Sequence, residues 1–215
     1  MNTSRYLNRA DVRLSLSSQL HPKLKWSIAC LSLDPKKVDK AVHSFYHQTM
    51  SRMGVSRKMN RPMRTITKKY GGLGLFDLNM DNLGERFHFI SSHWDLPTAT
   101  GQILRHVYEM FRISVGLGGH IFERDYKHLG KLAEPCWFSH TWELCHRYNA
   151  PIKFATKFEV LLMRERYITL MDAFLETGIW QIHQLKILNI VRRFKCVYSK
   201  SDILQPDAAG RFYHQ

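Results

Sequence analysis

The chain has 215 residues, 44% of them apolar, which suits one sizeable domain or two small ones and argues against intrinsic disorder. Its formal net charge of +14 is unevenly spread. Residues 1–76 hold fifteen Lys/Arg against Asp11, Asp34 and Asp39, an excess of twelve, while residues 77–215 hold seventeen against fifteen, an excess of two. No apolar run approaches the roughly 18 residues that span a bilayer, and Arg5, Arg9 and Arg13 sit where a secretory signal needs its apolar stretch. The expectation is an intracellular protein, nuclear or cytoplasmic, with no membrane partner. Four cysteines, Cys30, Cys136, Cys145 and Cys196, are too few for a disulfide scaffold and read as buried free thiols.

Leu, aromatics and helix formers are plentiful and alternating Val/Ile/Thr runs scarce, which predicts an all-α fold with at most a short β-hairpin near 64–75. Residues 5–31 read as helix, interrupted near His21-Pro22 because proline lacks a donor and restricts the residue before it. A helix over 34–53 has Asp34 as N-cap and Pro35 at its first position. Its apolar face is Val38, Ala41, Val42, Phe45 and Thr49, and Gly54 suits the place just past its end. Residues 55–70 are basic and aperiodic with Pro62 inside, and Gly71, Gly72 and Gly74 mark a structural turn.

A helix over 77–94 turns Leu78, Leu83, Phe87 and Ile90 inward. Another runs from Pro97-Thr98 to about Val115 with Ile103, Leu104, Val107, Met110 and Phe111 as its apolar residues, and the glycines of 116–119 end it. Further helices are expected over 137–148, 155–176 and 180–195, with Gly178 between the last two. The organisation expected is a basic helical domain at 1–115, a connector at 116–136, a second helical part at 137–204 and a polar tail at 205–215.

Motifs that bear chemistry are largely missing. A two-metal polymerase site needs carboxylates converging on ions about 4 Å apart, and neither Asp-Asp nor Asp-x-Asp occurs. Asp77 and Asp81, one helical turn apart, read as caps and solvated face. Cys136, His140, Cys145 and His146 have zinc's ligand types, but no standard spacing, and Trp137, Phe138, Trp142 and Leu144 interleave as core. There is no Gly-x-Ser-x-Gly elbow, P-loop or dinucleotide fingerprint. No metal, cofactor or catalytic residue is expected.

The basic stretch is the candidate site. No acidic residue lies between Asp39 and Asp77, where Lys40, Arg52, Arg57, Lys58, Arg61, Arg64, Lys68 and Lys69 fall. Such a segment repels itself unless an anion lies against it, and a phosphate backbone is the commonest such anion. Arg52, Arg57, Lys58, Arg61, Arg64, Lys68 and Lys69 are therefore the expected nucleic-acid contacts. Met59, Met63, Ile66 and Tyr70 interleave with them, as though to pack the segment on the body. Replacing Arg57, Lys58, Arg61 and Arg64 together by Ala is expected to leave folding nearly unchanged.

Four strings resemble the region that follows the palm in reverse transcriptases of non-LTR retroelements. HPKLKWSIACLSL at 21–33 is similar to the segment joining palm to thumb, and VSRKMNRPMRTITKKYGGLGLFDL at 55–78 to a basic run leading into a "GGLGL-x-DL" element. YITLMDAFLETG at 167–178 and QLKILNIVRRFKCVYSKSDI at 184–203 resemble a later helical portion, and the four occur in the family's order. The resemblance implies a chain starting after the palm, with thumb-like helices gripping a primer–template duplex or RNA through backbone contacts. It implies no catalysis by this chain alone, because fingers and palm, with the paired aspartates, are absent from it. A palm and fingers polypeptide is then a second partner, docking on an apolar face of helix 5–31. The alternative is a decayed or domesticated basic helical interaction protein with no polymerase role.

Overall fold

The structure, a computed structural model, describes residues 9–28, 30–154, 168–199, 204–206 and 212–214. It is mostly helical, as the sequence predicts. The described residues include ten α-helices and one antiparallel ribbon, in which β1 (Leu204–Pro206) pairs with β2 (Phe212–His214). No strand forms at 64–75. The chain divides into two compact units, residues 1–89 and 90–215. The connector expected at 116–136 lies inside the second unit, because Leu117, Ile121, Phe122 and Leu132 turn into its core. No helix among the described residues is long and apolar enough to cross a membrane.

The first unit begins with α1 (Arg9–Ser15), a π-helical turn at Leu16–Leu20 and α2 (His21–Ile28). The expected break at Pro22 is replaced by that turn, in which the His21 amide reaches five residues back to the Leu16 carbonyl. Proline donates nothing to the carbonyl four residues before it and its ring crowds that carbonyl; widening the turn relieves the crowding without ending the helix. Val12 and Leu16 enter one buried cluster and Ile28 another, leaving Leu14 exposed, so the apolar face of these helices is covered by their own unit.

α3 (Pro35–Arg52) starts where expected, the Asp34 carboxylate accepting from the Lys36 amide at 2.8 Å. Its buried face is Val38, Tyr46, Thr49 and Met50; Ala41 is exposed, and Val42 and Phe45 pack only at the edge. After the short α4 (Arg61–Thr65), α5 (Leu78–His93) buries Leu78, Leu83 and Ile90 as expected, and also Asn79, Asn82 and Arg86. Arg86 is paired, its Nε donating to Asn82 Oδ1 at 2.8 Å and its Nη2 to the Leu31 carbonyl at 2.9 Å, whereas Asn79 Oδ1 and Asn82 Nδ2 are buried with no hydrogen-bond partner among the described residues.

In the second unit α6 (Ala99–Val115) opens on Thr98, whose hydroxyl accepts from the Gly101 amide at 3.2 Å. Its inner stripe is Leu104, Tyr108, Phe111, Arg112 and Val115. Ile103, Val107 and Met110 form a second apolar stripe that is exposed. The helix has apolar residues on two faces, and the face with Tyr108 takes the core because it meets an aromatic cluster. Trp94, Phe122, Phe138 and Phe154 all lie within 6 Å of the Tyr108 ring, centroid to centroid. Tyr108 also accepts from the Ile121 amide at 3.1 Å, and burial raises its pKa.

α7 (Tyr126–Leu129) and α8 (Trp137–Arg147) follow. Cys136 is the N-cap of α8: its sulfur accepts from the Ser139 amide at 3.4 Å, while Ser139 Oγ accepts from the Cys136 amide at 2.8 Å. All four cysteines are free, and only Cys145 is buried; the expectation of burial fails for Cys30 and Cys196, which are exposed, and for Cys136, which is half-buried. The helix expected at 155–176 is described only from 168 onward, as α9 (Leu170–Glu176), and residues 155–167 lie outside the described range.

α10 (Ile182–Phe194) locks this unit together. Gly116, at φ +81°, ends α6, and Arg192 lies against that end. Arg192 Nη2 donates to the Ile113 and Ser114 carbonyls at 2.6 and 3.3 Å, Nη1 to Val197 at 3.3 Å, and Nε to Asn189 Oδ1 at 3.0 Å. Asn189 Nδ2 donates in turn to Ser114 at 3.0 Å. A buried guanidinium thus supplies donors to carbonyls that the last turn of α6 leaves orphaned. Asp172 pins the turn that follows: its Oδ2 accepts from the Gly118 amide at 2.7 Å and from Thr169 Oγ1 at 2.8 Å.

Two outcomes follow from this packing. Arg192→Leu leaves the Ile113 carbonyl without the guanidinium donor and the Ser114 carbonyl with Asn189 alone, and lowers stability by about 3 kcal/mol in urea unfolding; Arg192→Lys does not restore it, since an ammonium cannot reproduce the fork. His120 stacks on Phe154 at 5.0 Å, and burial, helped by the Arg112 charge and opposed by Glu123, depresses its pKa. The unfolded imidazole takes its proton near the ordinary value of about 6.5, above the folded one. The stability His120 contributes is full above about pH 6.5 and is lost as pH falls toward the folded pKa. The fall in urea midpoint between about pH 7.5 and 5.5 is therefore smaller in His120→Gln than in the parent chain.

Candidate nucleic-acid interface

The basic segment is held by its backbone. Asn60 caps α4, its Oδ1 accepting from the Met63 amide at 3.0 Å, and a 3₁₀ turn, Lys68–Tyr70, follows. The chain then doubles back in place of the expected hairpin. The amides of Leu73, Gly74 and Leu75 donate to the carbonyls of Met63, Ile66 and Arg64 at 3.0, 2.9 and 2.8 Å. These bonds close onto a helical turn and not onto a strand, so no ladder can grow. Gly71 supplies the left-handed φ of +81° that ends the 3₁₀ turn. At Gly72 the constraint is contact: a Cβ there would stand 2.0 Å from the Ile66 carbonyl oxygen. Met59, Leu73, Leu75 and Phe76 anchor the segment in the core that contains Tyr46 and Met50.

The seven candidate contacts fall into two groups. Arg52, Arg57, Lys58, Lys68 and Lys69 are exposed, and among the described residues no carboxylate pairs with Arg57, Lys58, Lys68 or Lys69. The Arg57 Nε donates to Ser51 Oγ, which steadies the turn after α3. Arg61 and Arg64 are half-buried beside a cleft of about 350 Å³ that Tyr46 and His43 also line.

Arg61 is an internal partner. Its Nη2 and Nε donate to the two oxygens of Asp77 at 2.7 and 3.0 Å, and Nη2 lies 3.1 Å from Asp39 Oδ1. The same Asp77 Oδ1 accepts from the Asn79 amide at 3.1 Å at the start of α5, and Asp39 Oδ1 accepts from Asn79 Nδ2 at 2.7 Å. The two carboxylates that bound the acid-free stretch in sequence therefore converge on one guanidinium within it. The sequence held that signal, since Arg61 lies between the only acids close enough to neutralise the segment, but spacing did not say which cation they would choose. Around them, His21 Nε2 meets Asp81 Oδ2 at 2.9 Å and Lys25 meets Glu85 at 2.8 Å. That Lys25 pair raises the lysine pKa, through its hydrogen bond to Glu85 first and the carboxylate's charge second.

The apolar residues also divide. Met59 packs inward as expected; Met63, Ile66 and Tyr70 do not, and stand exposed. The backbone bonds that fold 73–75 onto α4 place Leu73 and Leu75 on the core side, so that side is filled without them. Lys69 Nζ lies 5.8 Å from the centre of the Tyr70 ring.

Among the described residues no three His, Cys, Asp or Glu side chains form a group able to hold a metal ion. No family model, no curated protein and no solved structure matches the chain.

The two groups of basic residues separate under mutation. Arg61→Ala leaves Asp77 and Asp39 facing each other without their shared cation and costs about 2 kcal/mol in urea unfolding, the scale of a hydrogen bond to a charged group. Lys58→Ala, with nothing folded against its charge, stays within about 0.5 kcal/mol of the parent.

Proposed function

We propose that the chain is a nucleic-acid-binding module, the thumb and C-terminal extension of a reverse transcriptase of the non-LTR retroelement kind, without a catalytic site of its own. The observation that carries this reading is the partition of charge in the first unit. Residues 1–89 hold sixteen Lys/Arg against six Asp/Glu, an excess of ten. Of those six, Asp34 caps α3, Asp39 and Asp77 hold Arg61, Asp81 meets His21 and Glu85 meets Lys25. Five of the six carboxylates are committed to folding the unit, and a row of exposed cations remains on a backbone pinned at both ends.

A fixed set of exposed cations suits a phosphate backbone, whose contacts position a duplex without reading its sequence. The ordered resemblance at 21–33, 55–78, 167–178 and 184–203 supports the same reading. In a complete polymerase such a grip slows dissociation of the primer–template; a palm and fingers polypeptide is then the second partner.

Salt dependence tests the reading quantitatively. If Arg52, Arg57, Lys58, Lys68 and Lys69 meet phosphates, log affinity against log salt falls with a slope of about −4.5 on duplex. Replacing Arg57, Lys58 and Lys68 together by Ala brings the slope to about −1.8, and weakens unrelated duplexes equally. A folded triple variant with an unchanged slope refutes the interface.

A further inference from the structure

The segment that carries the exposed cations also displays apolar surface. Met63, Ile66 and Tyr70 are 40%, 38% and 73% exposed, while Met59, Leu73, Leu75 and Phe76 of the same stretch pack on the core. Single exposed apolar side chains are ordinary and need no explanation. Here three fall within eight residues, next to Lys68 and Lys69, on a loop whose backbone is closed by hydrogen bonds from Gly71, Gly72, Leu73, Gly74 and Leu75. The loop cannot turn these side chains inward without breaking those bonds, and the glycine at 72 is required for the closure.

An exposed aromatic ring on a closed backbone, with the Lys69 ammonium 5.8 Å from its centre and Lys68 next to it in sequence, matches one ligand chemistry closely. An unpaired nucleobase presents a flat π-face for the ring and carries a phosphate within reach of neighbouring cations. A base inside a duplex is already stacked on both faces and offers no such surface. An acidic peptide would use the lysines but gain little from the tyrosine.

We infer that Tyr70, flanked by Lys68 and Lys69, is a stacking platform for an unpaired base, so that this surface takes single-stranded nucleic acid, or the unpaired end of a duplex. The inference rests on the nucleic-acid reading above and adds to it a strand type and a residue that backbone contacts alone do not require. Met63 and Ile66 extend the apolar surface available to the sugar and base edges.

The test uses the full chain and three fluorescently labelled probes of one length, about a dozen nucleotides: a single strand, its duplex, and a strand of abasic sites with the same phosphates. Anisotropy titrations at one salt concentration give the affinities. Tyr70→Ala weakens the single strand roughly five- to hundredfold, the range for loss of one stacked base, and leaves the duplex within about twofold. Tyr70→Phe retains wild-type binding, because stacking needs the ring and not the hydroxyl. The parent chain binds the abasic strand as weakly as Tyr70→Ala binds the normal one, a comparison that needs no mutant to fold. Equal affinity of the parent chain for abasic and normal strands overturns the platform, as does a Tyr70→Ala loss that is absent or the same on all probes. If duplex binding persists in that event, the phosphate interface stands. If the parent chain binds none of the three probes, both fall together.

Discussion

Three groups from separate parts of the first unit meet at Arg61: Asp39 on α3, Asp77 at the head of α5, and the guanidinium on α4. The segment from 53 to 76 is thereby tied at its middle to both long helices. The planar fork of arginine suits this task because it can face two carboxylates at once, where an ammonium is a point charge. It also removes a destabilising feature. Two aspartates drawn together by the packing of α3 and α5 would repel, and a run of eight cations would repel itself; placing one cation between the two anions relieves both. The Tyr46 hydroxyl, donating to the Phe76 carbonyl next door, continues the same knot, with burial raising its pKa.

The second unit uses arginine for a similar purpose with different acceptors. Arg192 has no carboxylate among its hydrogen-bond partners named above, and faces backbone carbonyls and an asparagine oxygen. Burial works against its charge and lowers its pKa, an effect offset by the donors it places. Arg86 in the first unit likewise donates to an asparagine oxygen and a backbone carbonyl. Counting Lys and Arg in a sequence like this one therefore overstates the charge offered to a ligand, because part of it is spent inside the fold as hydrogen-bond donors.

Helix ends were the most legible features. Asp34, Thr98 and Gly116 act through local chemistry, a side chain or a φ angle within a few residues, and the spans of α3, α6, α8 and α10 lie close to the expected ones. Helix faces were less legible. On α6 two apolar stripes compete, and only the aromatic partners of Tyr108, distant in sequence, choose between them. The fate of 64–75 also escaped pattern reading, because glycines and aliphatics there suit a hairpin as well as a loop folded on a short helix. In the basic segment the sequence marks the run of cations but not its internal division. Arg61 differs from Lys58 by what folds against it, and composition does not record that. Residue type alone puts Tyr70 in the packing, whereas the backbone hydrogen bonds around it place it outside.

The Arg192 cap has a bearing on how the second unit comes into being. Its bond to the Ile113 carbonyl joins residues 79 apart in the chain, and the bond from Asn189 to Ser114 spans 75. During synthesis the last turn of α6 emerges well before the side chains that complete it. At ribosomal speeds of about 5–20 residues per second the interval is several seconds, long against the microseconds in which an isolated helix frays and reforms. Through that interval the orphaned carbonyls are served by water, and the aromatic cluster around Tyr108 has its nearer partners but lacks the lock. Completion of this unit waits on those distant contacts, and the apolar surface that Leu185 of α10 covers stays open until α10 arrives.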